Sequence, residues 1–387
     1  MNQTQPSGAG AAYTYVDNDG ALGELLAWIA PSPRAALDLE ADSLHHYHEK
    51  ICLMQLSDRG RHFLIDPLSA VDLGPFLAAL GEKTLILHGA DYDLRMLKNS
   101  LGFRPRGAVI DTMLAAQLAG RKELGLAALV APLSGELRVK SGQKSDWSRR
   151  PLKAAQLSYA VEDTRFLEEL ADQLLAELDA LGRRAWFEQQ CAALVAATAT
   201  DRVVDPEKQW RIRGVRELGP QQAAFVREIW RWREGEADRT DRPPFKILGN
   251  EQIVALAVAA AEALLAGEGR LPEIPHYVRG ERLETLREAL RAAALLGPAD
   301  WPEPRVRTVG PVRRRTGANF ERLREAVAKL AGELGIEPAV LAPRAALEEI
   351  SRLGLGDAAA LVEKGRLLPW QAELLAPVVK RIQGGGD

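Results

Sequence analysis

The run Ala35-Ala36-Leu37-Asp38-Leu39-Glu40 constrains the fold more than any other stretch of the chain. It is apolar and of strand length, and side chains alternate faces along a strand. Leu37 and Leu39 therefore point one way while Asp38 and Glu40 point the other. The two carboxylates lie about 7 Å apart along one face of what reads as a central strand. Two acids on such a face are costly unless their charge is offset. Hard cations such as Mg²⁺ or Mn²⁺, which take oxygen ligands, offset it. A strand end that simply turns polar is the plainer alternative, and the neighbouring apolar run argues against it.

The surrounding pattern predicts a mixed sheet with helices packed on it. A strand is expected at Ala12–Val16, a helix from Asp19 to Ile29, and two hairpin strands in KICLMQLS and RHFLIDPL joined by the turn Asp58-Arg59-Gly60. A helix from Leu73 to Leu80 leads into the strand KTLILHG. Helical spacing then dominates, over Tyr92 to Ser100, Thr112 to Leu118, Leu124 to Val130, and one long segment from Leu152 to Leu181. Strands first, then helices crossing between further short strands, give an α/β domain over residues 13–200.

Beyond Asp201 no strand pattern appears. Phe225, Ile229 and Trp232 share one helical stripe and Ile253, Leu256 and Ala260 another, with Pro243-Pro244 barring continuation between them. Residues 210–298 read as a first all-α module and 299–318 as a Pro/Arg-rich linker. Residues 319–383 read as a second helical group, with helices at Phe320–Leu334, Ala345–Leu353 and Pro369–Ile382. Residues 1–12 are small and polar and are expected to be frayed, as is the Gly384-Gly385-Gly386 tail.

With 47% hydrophobic and 27% charged residues, composition is that of a globular protein, and no apolar run reaches membrane-spanning length. No export signal is visible, and Cys52 and Cys191 are expected as reduced thiols, so a cytoplasmic protein is the expectation. The net charge of −3 argues against a uniformly basic nucleic-acid coat. Between Arg305 and Glu325, however, seven arginines face two acids, a local excess of about +5 suited either to a solvated linker or to a phosphate backbone. The absence of GxGxxG, Walker A and GxSxG patterns speaks against a nucleotide cofactor and against serine-hydrolase chemistry.

Two further clusters matter. Asp93 opens a helix after LILHG, with Asp91 as its rival by spacing alone. Tyr159 and Asp163 stand four apart on one helical face, where a phenol beside a metal-bound water could orient it and Asp163 could complete a ligand set. His45, His46, His48 and Cys52 carry zinc-type donors. The step from His46 to His48 is short for a zinc pair, and they read instead as a strand or loop lip that could face substrate. Trp147 reads as a packing residue, Arg149 or Arg150 as a phosphate contact, and one of Trp230 and Trp232 as a rim residue.

The motifs Asp38-x-Glu40, His88 to Asp93, Ile110-Asp111-Thr112, SDWSRRPL from Ser145 to Leu152, and YAVED resemble, in order and spacing, those of ribonuclease D-type 3′–5′ exonucleases. That family is the tyrosine-containing branch of the DEDD nucleases and carries helicase-and-RNase-D C-terminal (HRDC) domains. LDLEADS, CLMQLS, LILHGADYDL and DWSRRPL are also similar to the exoribonuclease of the eukaryotic nuclear exosome. The resemblance covers residues 13–185 in detail, 215–296 more loosely as a first HRDC unit, and the final helical group as a divergent second one. It implies an RNase H-like exonuclease domain followed by two all-α HRDC-type domains. It further implies that Asp38, Glu40, Asp93 and Asp163 hold two divalent cations, Mg²⁺ or Mn²⁺, and that Tyr159 positions the attacking water. It sets Asp91 aside.

The expected activity is release of nucleoside 5′-monophosphates from RNA 3′ ends, such as those of tRNA precursors or other structured RNA, without membrane or nucleotide cofactor. A DNA 3′–5′ exonuclease and a catalytically silent RNA-binding scaffold are the alternatives. For substrate contacts the candidates are His88, Met96, Arg149 and Arg150. Ala41 and Asp42 stand where bacterial relatives usually have an aromatic and a basic residue, which leaves Met96 as the substitute for base stacking.

Overall fold

The computed structural model describes residues 11–134, 142, 144–201, 205–267, 273–302 and 312–383. The expectations for the first ten residues, for the glycine tail and for residues 303–311 of the linker fall outside them, while residues 312–318, expected as linker, are already helical as the start of Val312–Leu334.

The strand that carries Asp38 and Glu40 is β2 (Arg34–Ala41), and it is central as its sequence predicts. With β1 (Thr14–Val16), β3 (Ile51–Asp58), β4 (Arg61–Ile65), β5 (Thr84–Leu87) and β6 (Val109–Asp111) it forms a six-stranded sheet of order β1-β4-β3-β2-β5-β6. β4-β3-β2 is an antiparallel meander, and β1, β5 and β6 join by parallel pairing. The β3–β4 hairpin turns at Arg59 and Gly60, whose φ values of 47° and 76° are the left-handed pair that a tight two-residue hairpin needs.

Helices α1 (Asp19–Ile29), α2 (Gly74–Gly81) and α3 (Asp91–Leu101) cover one face, burying Leu25, Ile29, Phe76 and Leu97 against Leu37, Leu56 and Leu85. The Asn18 side chain caps α1 by accepting from the Ala21 N–H at 3.0 Å. Helices α4 (Thr112–Leu118), α5 (Leu126–Ser134), α6 (Ala154–Arg165), α7 (Leu167–Ala180) and α8 (Arg184–Ala199) follow. The single helix expected from Leu152 to Leu181 is thus two, separated at Phe166 with φ −109° and ψ 4°.

The described residues divide into two compact units, one within Met1–Ala41, Ile51–Thr200 and Val309–Asp387, the other within Asp42–Lys50 and Asp201–Thr308. The final helical group, set apart by sequence as its own module, therefore belongs with the sheet. Its helices Val312–Leu334, Arg344–Leu353 and Pro369–Gln383 share a core with α4, α7 and α8. Trp186 stacks on Trp370 with ring centroids 4.7 Å apart, and Arg183 donates to the carbonyls of both Leu118 and Leu334. Apolar stripes announce that helices are buried, but not what buries them.

The second unit is helical among its described residues. Pro220–Arg239, Asn250–Leu265 and Glu281–Leu295 bury Phe225, Ile229, Leu256 and Leu286. The segment 42–50 is part of it. Asp241 accepts from the Tyr47 and His48 N–H groups at 3.0 Å each and pairs with His46 at 2.6 Å, while His48 pairs with Asp238 at 2.8 Å. His46 and His48 thus serve loop anchoring.

Candidate active site

Asp38 and Glu40 leave β2 on the same face, as their alternation requires. Helix α6 runs over that face, tied to β3 by the Ser57 and Thr164 hydroxyls at 2.6 Å, and it brings Asp163 to them. One ligand oxygen from each of Asp38, Glu40 and Asp163 lies within 4.8 Å of the others. Asp93, in the first turn of α3 and buried, adds its charge to Asp38 and Glu40. Asp91 instead forms an ion pair with Arg95 one helical turn on, at 3.1 Å.

This crowding has an electrostatic signature. Burial, reinforced by Asp93, Asp163 and Glu40, raises the Asp38 carboxyl well above the ordinary range. Burial together with Asp163 and Asp93 pushes Glu40 up to about 9, and burial with Asp111 pushes Asp93 up to about 7. Without a counter-charge Glu40 therefore keeps its proton at neutral pH. An all-oxygen donor set at this spacing fits hard divalent cations, which would supply the missing charge.

Tyr159, one turn before Asp163, donates its hydroxyl to that carboxylate. Burial, then Asp163, Glu40 and Asp38, raise its phenol above its usual range, so it stays a neutral O–H group at neutral pH. Its ring is packed from two directions. Trp147 lies tilted at 6.1 Å between centroids, and the backbone of Gly142 sits so close that a Cβ there would come within 2.4 Å of the ring.

The SDWSRRPL block is held in place by Arg150. Its guanidinium binds both Asp66 oxygens at 2.6 and 2.7 Å and donates to the carbonyls of Cys52 and Trp147. Tyr15 also donates to Asp66, at 2.7 Å. Arg150 is thereby occupied in structure, whereas Arg149 is exposed beside Asp146. Met96 is buried in the core under α3. His88 bonds the Thr112 hydroxyl at 2.9 Å and the Leu124 backbone, and burial lowers its pKa. Of the four substrate-contact candidates, only Arg149 has its polar group largely in solvent.

Asp111 is a site residue that spacing alone did not single out. Wholly buried, it accepts from the Gly89 and Ala90 N–H groups at 3.0 and 2.9 Å, and from Met113 and Leu114 at the start of α4. One carboxylate thus caps α4 and fixes the turn that launches α3 with Asp93. The signal available in sequence was an aspartate just before a helix, in Ile110-Asp111-Thr112.

Comparison with known proteins shows what the chain as a whole is similar to. Residues 13–179 match the family model described as 3′–5′ exonuclease, and residues 222–263 match that of the HRDC domain. Ribonuclease D of Acidiphilium cryptum is 31% identical over 96% of this chain and 93% of its own length. That of Xanthomonas oryzae is 30% identical over 82% and 86%. Among solved structures, Escherichia coli RNase D, described as an exoribonuclease involved in structured RNA processing, matches with a TM-score of 0.72 at 25% identity, covering 97% of this chain and 100% of that one. The catalytic core of RRP6 from Trypanosoma brucei matches with a TM-score of 0.62 at 25% identity, over 76% and 82%.

Proposed function

The chain belongs to the ribonuclease D family and is a 3′–5′ exoribonuclease, and from that premise we propose that Asp38, Glu40, Asp93 and Asp163 hold two divalent cations, Mg²⁺ or Mn²⁺, at which RNA is shortened from its 3′ end. The observation that carries the assignment is the meeting of the Asp38, Glu40 and Asp163 oxygens within 4.8 Å, with Asp93 beside them. Two cations in such a site supply Lewis-acid activation of a water and neutralise the charge that grows on the departing 3′ oxygen.

The chain's own groups do the rest. The carboxylates give up their protons to become ligands. Tyr159, kept neutral by its surroundings, orients the attacking water by hydrogen bonding while Asp163 fixes its hydroxyl. Trp147 and Gly142 hold the phenol ring, and Asp111 sets the angle at which α3 presents Asp93. The products are nucleoside 5′-monophosphates. The substrates are RNA 3′ ends, those of tRNA precursors or other structured RNA, a reading supported by the part of E. coli RNase D in structured RNA processing. The helical module around residues 222–263 aids RNA binding, and the group at 319–383 is a divergent second HRDC-like element. No described helix is long and apolar enough to cross a membrane.

Matched RNA and DNA oligonucleotides with free or phosphate-blocked 3′ ends, incubated with Mg²⁺ or Mn²⁺, test this reading. Shortening of free-ended RNA alone is the expected outcome. Equal degradation of blocked ends would overturn the 3′-exonuclease assignment, and equal degradation of DNA the RNA preference.

A further inference from the structure

Gln55 sits on β3 directly opposite Asp38 of β2. Paired residues on neighbouring strands put their side chains on the same face, with Cβ atoms about 4.5–5.5 Å apart. That face is the one α6 covers, since Ser57, two residues further along β3, bonds Thr164 next to Asp163. Gln55 is fully buried, and among the described residues neither its Nε2 nor its Oε1 has a hydrogen-bond partner. Its neighbour Ser57 is satisfied twice, by His62 at 2.7 Å and by Thr164.

A buried amide with both ends unmet costs stability that an apolar side chain of similar volume would not. The strand pairing places Asp38 directly opposite, and the amide makes no hydrogen bond to its carboxylate in this structure. A carboxylate that ligates a cation has further lone pairs to satisfy and must be held in one orientation. A neighbouring N–H donor does both, and the loss of such a donor weakens metal affinity.

We propose that Gln55 is a positioning residue for Asp38, its amide N–H donating to the Asp38 carboxylate and holding it in the orientation that binds the cation. This inference rests on Asp38 being a cation ligand. Gln55 touches neither substrate nor reacting atoms, and its effect passes through Asp38 alone.

Gln55→Met and Gln55→Leu fill the volume without the amide. Thermal unfolding in chelator, Mn²⁺ binding by calorimetry, and RNA shortening across a Mn²⁺ series are measured for both, for the wild type and for Asp38→Asn. The variants are expected to melt at or above the wild-type temperature in chelator, to bind Mn²⁺ about tenfold or more weakly, and to regain most activity at saturating Mn²⁺. A wild-type Mn²⁺ affinity in either folded variant would overturn the inference and leave the active-site assignment intact. Failure of both variants to fold would also overturn it, by making the amide a structural group. If instead Asp38→Asn binds Mn²⁺ as the wild type does, the ligand assignment itself is wrong, and this inference goes with it.

Discussion

Loading the site with a divalent cation should expel protons, and their number follows from the carboxylates. Glu40, with its pKa pushed up to about 9, is almost wholly protonated at neutral pH, and Asp93 at about 7 is half protonated. Asp38 is raised well above its ordinary range as well. Ligation requires them ionised, so at pH 7 Glu40 and Asp93 should together release about one and a half protons on filling the site. The cation Kd should accordingly fall roughly 30-fold per pH unit near neutrality. The same shifts govern metal-free stability. A folded-state pKa raised from 4.5 to about 9 means that the folded protein holds a proton the unfolded chain has lost. Metal-free stability therefore declines as pH climbs through that window, and the cation reverses the decline. Titration calorimetry with Mn²⁺ in buffers of different ionisation enthalpy counts the protons directly, and Glu40→Gln should lower the count by about one. Release of none, with a Kd constant between roughly pH 6 and 8, would refute the electrostatic account.

Three other outcomes are expected. Asp111→Ala removes the acceptor for four backbone N–H groups, so thermal or urea unfolding should show a loss of roughly 3 kcal/mol, with Asp93 displaced and the cleavage rate reduced. Gly142→Ala places a methyl within 2.4 Å of the Tyr159 ring, and should lower kcat at least about tenfold while calorimetry finds Mn²⁺ binding unchanged. Tyr159→Phe removes the hydroxyl but keeps the ring, so kcat should fall by roughly 100-fold or more with KM little altered, as single-turnover and steady-state rates would show.

Those features legible in sequence were the ones carried by local pattern. Alternation in Ala35–Glu40 located a central strand and put both acids on one face, and Asp58-Arg59-Gly60 announced its hairpin. Spacing brought Tyr159 and Asp163 together, but only the resemblance chose Asp93 over Asp91, and the Asp91–Arg95 pair is consistent with that choice. β6 was missed because Val109–Asp111 is too short to show a period. The break at Phe166 was missed because no glycine or proline marks it. Asp111 and Gln55 stayed hidden for another reason. The first is defined by which N–H groups point at it, the second by which residue faces it across a strand pair, and neither relation exists along the chain. The docking of the final helices on α4, α7 and α8 is equally non-local.

The most direct test of the central claim is the cleavage of a 5′-labelled RNA by the purified protein, sampled over time with Mn²⁺, with excess chelator, and with Asp93→Ala in place of the wild type. The account predicts a ladder that shortens one nucleotide at a time from the 3′ end, with nucleoside 5′-monophosphates as the product, and loss of that ladder by orders of magnitude in chelator or in the variant. A wild-type ladder from Asp93→Ala, or one that persists in chelator, would contradict it.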